Sequence, residues 1–159
     1  MQTALTELGR NPERREVGAT VMTAIALVAV GGVAVSSVSL YEHFATSTAS
    51  FCNFSDTFNC DLVNRSAYST VLGVPVALIG IVGYLLVAAL ATVYRNQAQT
   101  PVLLLITSVA GLGFALYLAY VEKFVLGVWC ILCLASLGLI CIEVMLSTIA
   151  IIRTRQARG

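Results

Sequence analysis

Charge in this chain is gathered into a few short segments, and the stretches between them are long enough to cross a lipid bilayer. Four charge-free runs cover 17–41 (25 residues), 66–94 (29), 96–121 (26) and 124–142 (19). A membrane-spanning helix needs about 20 mostly apolar residues. Four such runs within 159 residues exclude an ordinary soluble enzyme and a disordered chain, and leave too little polar sequence for a separate soluble domain. Only 11% of the residues are charged and the net charge is +1, so there is no basic face for nucleic acid. The expected fold is one all-α integral membrane domain. It is a four-transmembrane-helix bundle with spans near 17–41, 72–94, 100–121 and 128–150, and with 42–71 as a capping extracytoplasmic loop.

The polar segments give the orientation. Seven of the nine Lys and Arg lie before the first run (Arg10, Arg14, Arg15), in the 94–99 connection (Arg95) or in the tail (Arg153, Arg155, Arg158). Arg65 and Lys123 are on the other side. The positive-inside bias puts both termini in the cytoplasm. The first run is far longer than the apolar core of a secretory signal, about 7–15 residues, and reads as a retained helix.

The loop beyond the first run carries Phe44, Phe51, Phe54 and Phe58 among polar residues. It is read either as a lid folded onto the bundle or as an interfacial anchor. Pro75 falls at the start of the second helix and Pro101 at the start of the third, where proline is tolerated. The stretch 63–72 is expected to be a short helix or cap across the bundle mouth. Glycines at 80, 83, 111 and 113 permit close helix approach.

The cysteines carry the chemistry. On this topology Cys52 and Cys60 lie in the outer loop, and Cys130 and Cys133 at the outer end of the fourth helix. Residues at i and i+3 share one helix face, the spacing of redox-active Cys-x-x-Cys pairs, and a helix N-terminus favours a thiolate. Zinc would need tetrahedral ligation, and neither a nearby histidine nor a second Cys-x-x-Cys supports it. A membrane scaffold with one structural disulfide is the non-enzymatic alternative. Because one cysteine pair faces the outside and the other is embedded near lipid, the spacing favours a relay. Electrons would pass from an outside thiol protein to a hydrophobic, quinone-type carrier by thiol–disulfide exchange.

The chain resembles the vitamin K epoxide reductase family, in particular its bacterial quinone-linked disulfide-forming members. The resemblance rests on Cys52-x7-Cys60, on the stretch from Asp61 to Ser69, on Gly73-Val74-Pro75 opening a span, and on Trp129-Cys130-Ile131-Leu132-Cys133. The DsbB-like oxidases place their Cys-x-x-Cys earlier. The resemblance implies that Cys52 and Cys60 are a shuttle pair and Cys130 and Cys133 the active-site pair, with Cys133 facing the quinone, menaquinone or ubiquinone. It implies that Ser66 hydrogen-bonds a quinone or thiolate, unless it only caps a short helix, and that Tyr68 lines the pocket, unless it is an interfacial tyrosine. Leu137, counted among the quinone-binding positions, stands where the animal enzymes carry a quinone-contacting tyrosine, which points to the bacterial branch. Some bacterial members continue into a fused thioredoxin-like domain. Here the sequence ends at Gly159, so the implied partner is a separate thioredoxin-like, DsbA-type protein outside the bacterial cytoplasmic membrane. Reduction of vitamin K epoxide in the endoplasmic reticulum is the enzymatic alternative.

Four other residues invite attention. Cys141, about 16 Å along the helix from Cys130, is expected to be a small buried apolar residue. Glu143 is expected to snorkel or pair near the cytoplasmic interface. His43 is read as a surface histidine, and Trp129 either shields the active pair or joins the aromatic belt.

Overall fold

The computed structural model describes the backbone of residues 2–45 and 57–156, with side chains from residue 18 onward. Cys52, Phe51 and Phe54 lie outside the described residues. The elements are α1 (Gln2–Phe44), α2 (Cys60–Asn64), a 3-10 turn (Ala67–Ser69), a hairpin of β1 (Thr70–Val71) and β2 (Val74–Pro75), then α3 (Val76–Thr92), α4 (Thr100–Val121) and α5 (Ile131–Gln156). A π-helical turn, Glu122–Leu126, continues α4.

The second apolar helix starts later than the charge-free run predicts. Leu72 and Gly73 take left-handed φ values of 53° and 81°. Two consecutive positive φ values turn a two-residue hairpin with the twist of its strands. The chain therefore reverses before Pro75, which caps α3. Pro101 sits in the first turn of α4, where its missing N–H costs no helical hydrogen bond.

Among the described residues, three helices are long and apolar enough to cross a membrane: Gly18–Phe44, Thr100–Leu126 and Ile131–Gln156, of 27, 27 and 26 residues. The helix α3 is apolar but has 17 residues, about 25 Å at 1.5 Å per residue. Around the bundle α1 packs on α3, α3 on α4, α4 on α5 and α5 on α1. Close approaches of Gly32 to Tyr84 and of Gly80 to Ser36 make α1 and α3 antiparallel neighbours, and Gly111 against Ile140 joins α4 to α5. A core of Ile25, Ala29, Tyr84, Val87, Leu104 and Ile140 fills the middle. A smaller cluster of Cys60, Val63, Cys130 and Leu132 sits at one end. The outer surface is apolar: Leu27, Val82, Ile106 and Met145 are each at least 60% exposed. That inversion suits a lipid surround, because lipid tails do not drive apolar side chains inward.

The buried face of α5 runs through Ile140, Glu143, Ser147 and Ala150, the i, i+3, i+4 repeat of one helix side. Two expectations are corrected by it. Cys141 falls on the opposite side and is exposed. Glu143 does not snorkel: it is fully buried, and neither carboxylate oxygen has a hydrogen-bond partner among the described residues.

A Cβ added at Gly32 would sit inside the van der Waals envelope of the Tyr84 ring, whose hydroxyl is held at 3.0 Å by the Ser136 carbonyl. Gly32→Ala is expected to destabilise the bundle by about 1–3 kcal/mol through overpacking. Gly113→Ala meets nothing within 4 Å and serves as the control, both read as thermal unfolding in detergent.

Candidate active site

Local backbone pairing brings two distant cysteines together. The Trp129 N–H donates to the Thr57 carbonyl at 2.8 Å, and the Asn59 N–H donates to the Trp129 carbonyl at 3.1 Å. Residues 57–59 are thereby laid alongside the segment before α5, as an isolated parallel bridge between Phe58 and Trp129. Asn59 then caps α2, its side-chain oxygen accepting from the Leu62 N–H at 2.9 Å. Cys60 is the first residue of that helix, and so lands beside Cys130.

The helix α2 is stitched to the last turn of α1. The Ser39 hydroxyl donates to Asn64 Oδ1 at 2.7 Å, His43 Nδ1 donates to the Asn64 carbonyl, and the Arg65 guanidinium donates to the Ala45 carbonyl. Arg65 also pairs with Asp61 at 2.7 Å. His43 is thus a part-buried tie between two elements rather than a surface residue.

Cys130 is the N-cap of α5, its carbonyl accepting the first helical hydrogen bond. The Leu134 N–H donates to its carbonyl at 3.0 Å, and the Cys133 N–H donates to its sulfur at 3.4 Å. That is the position of a serine or aspartate N-cap, with sulfur in place of oxygen. Its own N–H donates to Glu122 Oε2 at 3.0 Å. Glu122 reaches it because the π-helical turn widens the end of α4, and Gly127, at φ 67°, then reverses the chain. The Cys133 sulfur, the Cys130 sulfur and a carboxylate oxygen of Glu122 lie within 4.8 Å of one another.

The Cys130 thiol donates to the Cys60 sulfur at 3.4 Å. Cys60 is disulfide-bonded, whereas Cys130 and Cys133 are free thiols. Both Cys60 and Cys130 are fully buried, and Cys133 is part-buried. A free thiol in contact with a disulfide sulfur is the reactant geometry of exchange. Cys130 precedes the membrane-length segment of α5, and the hydrogen bond from the Cys133 thiol holds its own thiol below the ordinary range.

Behind Cys133 opens a cavity of about 370 Å³ with mostly apolar walls, within the usual range for a small-molecule site of about 300–1,000 Å³. Ser39, His43, Asn64, Ser66 and Tyr68 border it at the cap, and Glu122, Cys133, Ser136 and Tyr84 deeper in. The Ser66 hydroxyl donates to the Val63 carbonyl at 2.8 Å. It closes α2 from behind and does not cap the 3-10 turn after it. Leu137 packs with the mid-bundle core and is not among the residues bordering the cavity.

Glu122 and Asn64 went unnoticed in the sequence. Each has one buried polar atom without a partner among the described residues, Glu122 Oε1 and Asn64 Nδ2. The available signal for Glu122 was an acid directly after an apolar run and eight residues before a Cys-x-x-Cys. The π turn that aims it inward leaves no mark in hydrophobic periodicity.

The sequence profile described as Vitamin K epoxide reductase family matches residues 23–148. No curated protein matches the chain.

In a Cys52→Ala/Cys60→Ala background, the Cys130 thiolate is expected to form at a lower pH than an unperturbed cysteine, near 8.5. A lowered pKa means that the anion is already present where a free thiol is still protonated. Adding Cys133→Ala removes the thiol donor and should move the transition to higher pH, read as thiolate absorbance at 240 nm.

Proposed function

Because the chain belongs to the vitamin K epoxide reductase family, and is therefore a membrane oxidoreductase of disulfide and quinone chemistry, we propose that it oxidises an extracytoplasmic thiol protein at the expense of a membrane quinone. The donor is a thioredoxin-like, DsbA-type dithiol. Electrons pass from it to Cys52–Cys60, then to Cys130–Cys133, then to menaquinone or ubiquinone, which leaves as quinol. The bundle crosses the membrane four times with both termini in the cytoplasm, so that the cysteines open to the outer side.

The observation that carries this reading is the 3.4 Å contact between Cys130 and the disulfide-bonded Cys60. In the forward direction the donor dithiol reduces the Cys52–Cys60 disulfide by exchange and leaves as a disulfide. The Cys60 thiolate then attacks Cys130 of an oxidised Cys130–Cys133 pair, forming a Cys60–Cys130 bond and releasing Cys133 as thiolate. Cys52 resolves that bond, restoring Cys52–Cys60 and leaving the inner pair as a dithiol. As the Cys130–Cys133 bond forms again, the dithiol gives up two electrons and two protons, which a quinone held in the cavity would accept. Ser66 and Tyr68, which line the cavity at the cap, would border a bound quinone. Support comes from the cavity beside Cys133 and from Cys130 at a helix N-terminus, where the dipole favours a thiolate.

Cys130→Ala is expected to insert normally and to lose quinone-dependent oxidation of the thiol partner. Cys133→Ala should accumulate a Cys60–Cys130 disulfide, seen by mass spectrometry of the non-reduced protein. Wild-type rates of quinone reduction by Cys133→Ala would sink the relay.

A further inference from the structure

Forming a disulfide from two thiols releases two protons with the two electrons, and in an apolar cavity few groups can carry them. Glu122 is only 1% exposed. Its Oε2 accepts from the Cys130 N–H, while its Oε1 has no partner among the described residues. A carboxylate oxygen of Glu122, Cys130 Sγ and Cys133 Sγ lie within 4.8 Å of one another, and Glu122 borders the same cavity as Cys133. A buried carboxylate normally has its oxygens satisfied; Glu143 departs from that too, but it belongs neither to the sulfur cluster nor to the cavity border, whereas Glu122 belongs to both. This one uses Oε2 to hold the Cys130 N–H and leaves Oε1 unpartnered, on a carboxylate that meets both sulfurs.

The other titratable groups bordering the cavity are engaged elsewhere or open to the surroundings. His43 donates to the Asn64 carbonyl, the Tyr84 hydroxyl donates to the Ser136 carbonyl, and Tyr68 is 43% exposed. Lys123, next along the chain, is exposed against the Phe124 ring.

We propose that Glu122 is a catalytic residue, the proton acceptor and carrier of the dithiol-oxidation step; this rests on the quinone-linked reading above. Its carboxylate takes the Cys133 proton and leaves a thiolate whose electrons go to the quinone. It hands that proton to a quinone oxygen, and then carries the Cys130 proton by the same route as the sulfur–sulfur bond closes. The dithiol loses two protons and two electrons, one disulfide forms, the quinone becomes quinol, and Glu122 ends as it began.

The test separates the two half-reactions in purified full-length protein. Glu122→Gln retains an oxygen to accept from the Cys130 N–H but cannot take a proton. Oxidation of the pre-reduced inner pair by decyl-ubiquinone, followed by stopped flow, should slow about 100-fold, the low end of general acid–base contributions. Exchange between the inner pair and the Cys60 disulfide should run at the wild-type rate. Glu122→Asp, with its carboxylate one methylene shorter, should fall between the two. Unchanged quinone oxidation in Glu122→Gln overturns the assignment, as does equal loss of both half-reactions in the two variants, which marks a structural role. Failure of the wild type itself to reduce the quinone overturns the parent reading, and this one with it; the wild-type trace tells the two failures apart.

Discussion

Two backbone hydrogen bonds on either side of Trp129 hold the site together. They join residues 57–59 to the segment before α5, and each has a net worth of about 0.5–1.5 kcal/mol. Their leverage exceeds their energy. Cys60 and Cys130 are separated by 70 positions, yet they lie two residues beyond Phe58 and one beyond Trp129, so the register of that bridge sets the sulfur–sulfur contact. The ties from Ser39, His43 and Arg65 to the end of α1 then keep α2 from sliding along it.

The other half of the site is built by a helix end and an irregular turn. An N-cap normally uses oxygen to satisfy an orphan amide. Here the capping atom is the Cys130 sulfur, so the interaction that starts α5 also orients the thiol. The π turn after α4 directs Glu122 to the Cys130 amide, and turns of this kind recur at functional sites. Local architecture and reactivity therefore share the same atoms, and a substitution at Cys130 bears on both.

Much of the arrangement was legible in the residues. Charge-free runs pointed to the three long helices, since hydropathy and length mark membrane-scale helices, but not to their ends: α1 begins well before its run and α5 continues well past its own. The expected grouping of Cys60, Cys130 and Cys133 followed from putting them on one side of such a bundle. What stayed hidden depended on backbone geometry. Left-handed conformations at Leu72 and Gly73 moved the start of α3, and the π turn brought in Glu122. Facing direction was the other blind spot. Cys141 and Glu143 exchanged their expected environments because an apolar helix carries no polar stripe to show which side meets its neighbours. Asn64 was overlooked for a related reason, as its importance comes from sitting where α2, α1 and the cavity meet.

Full burial of both Cys60 and Cys130 has a consequence for traffic across this boundary. Sulfurs shielded from the surroundings cannot be scavenged by small dissolved thiols, because exchange requires in-line access to a sulfur. The step between the two pairs is in that sense insulated, as a conductor is from the medium it runs through. In the proposed relay, that shielding would leave the step between Cys60 and Cys130 to the two protein sulfurs alone.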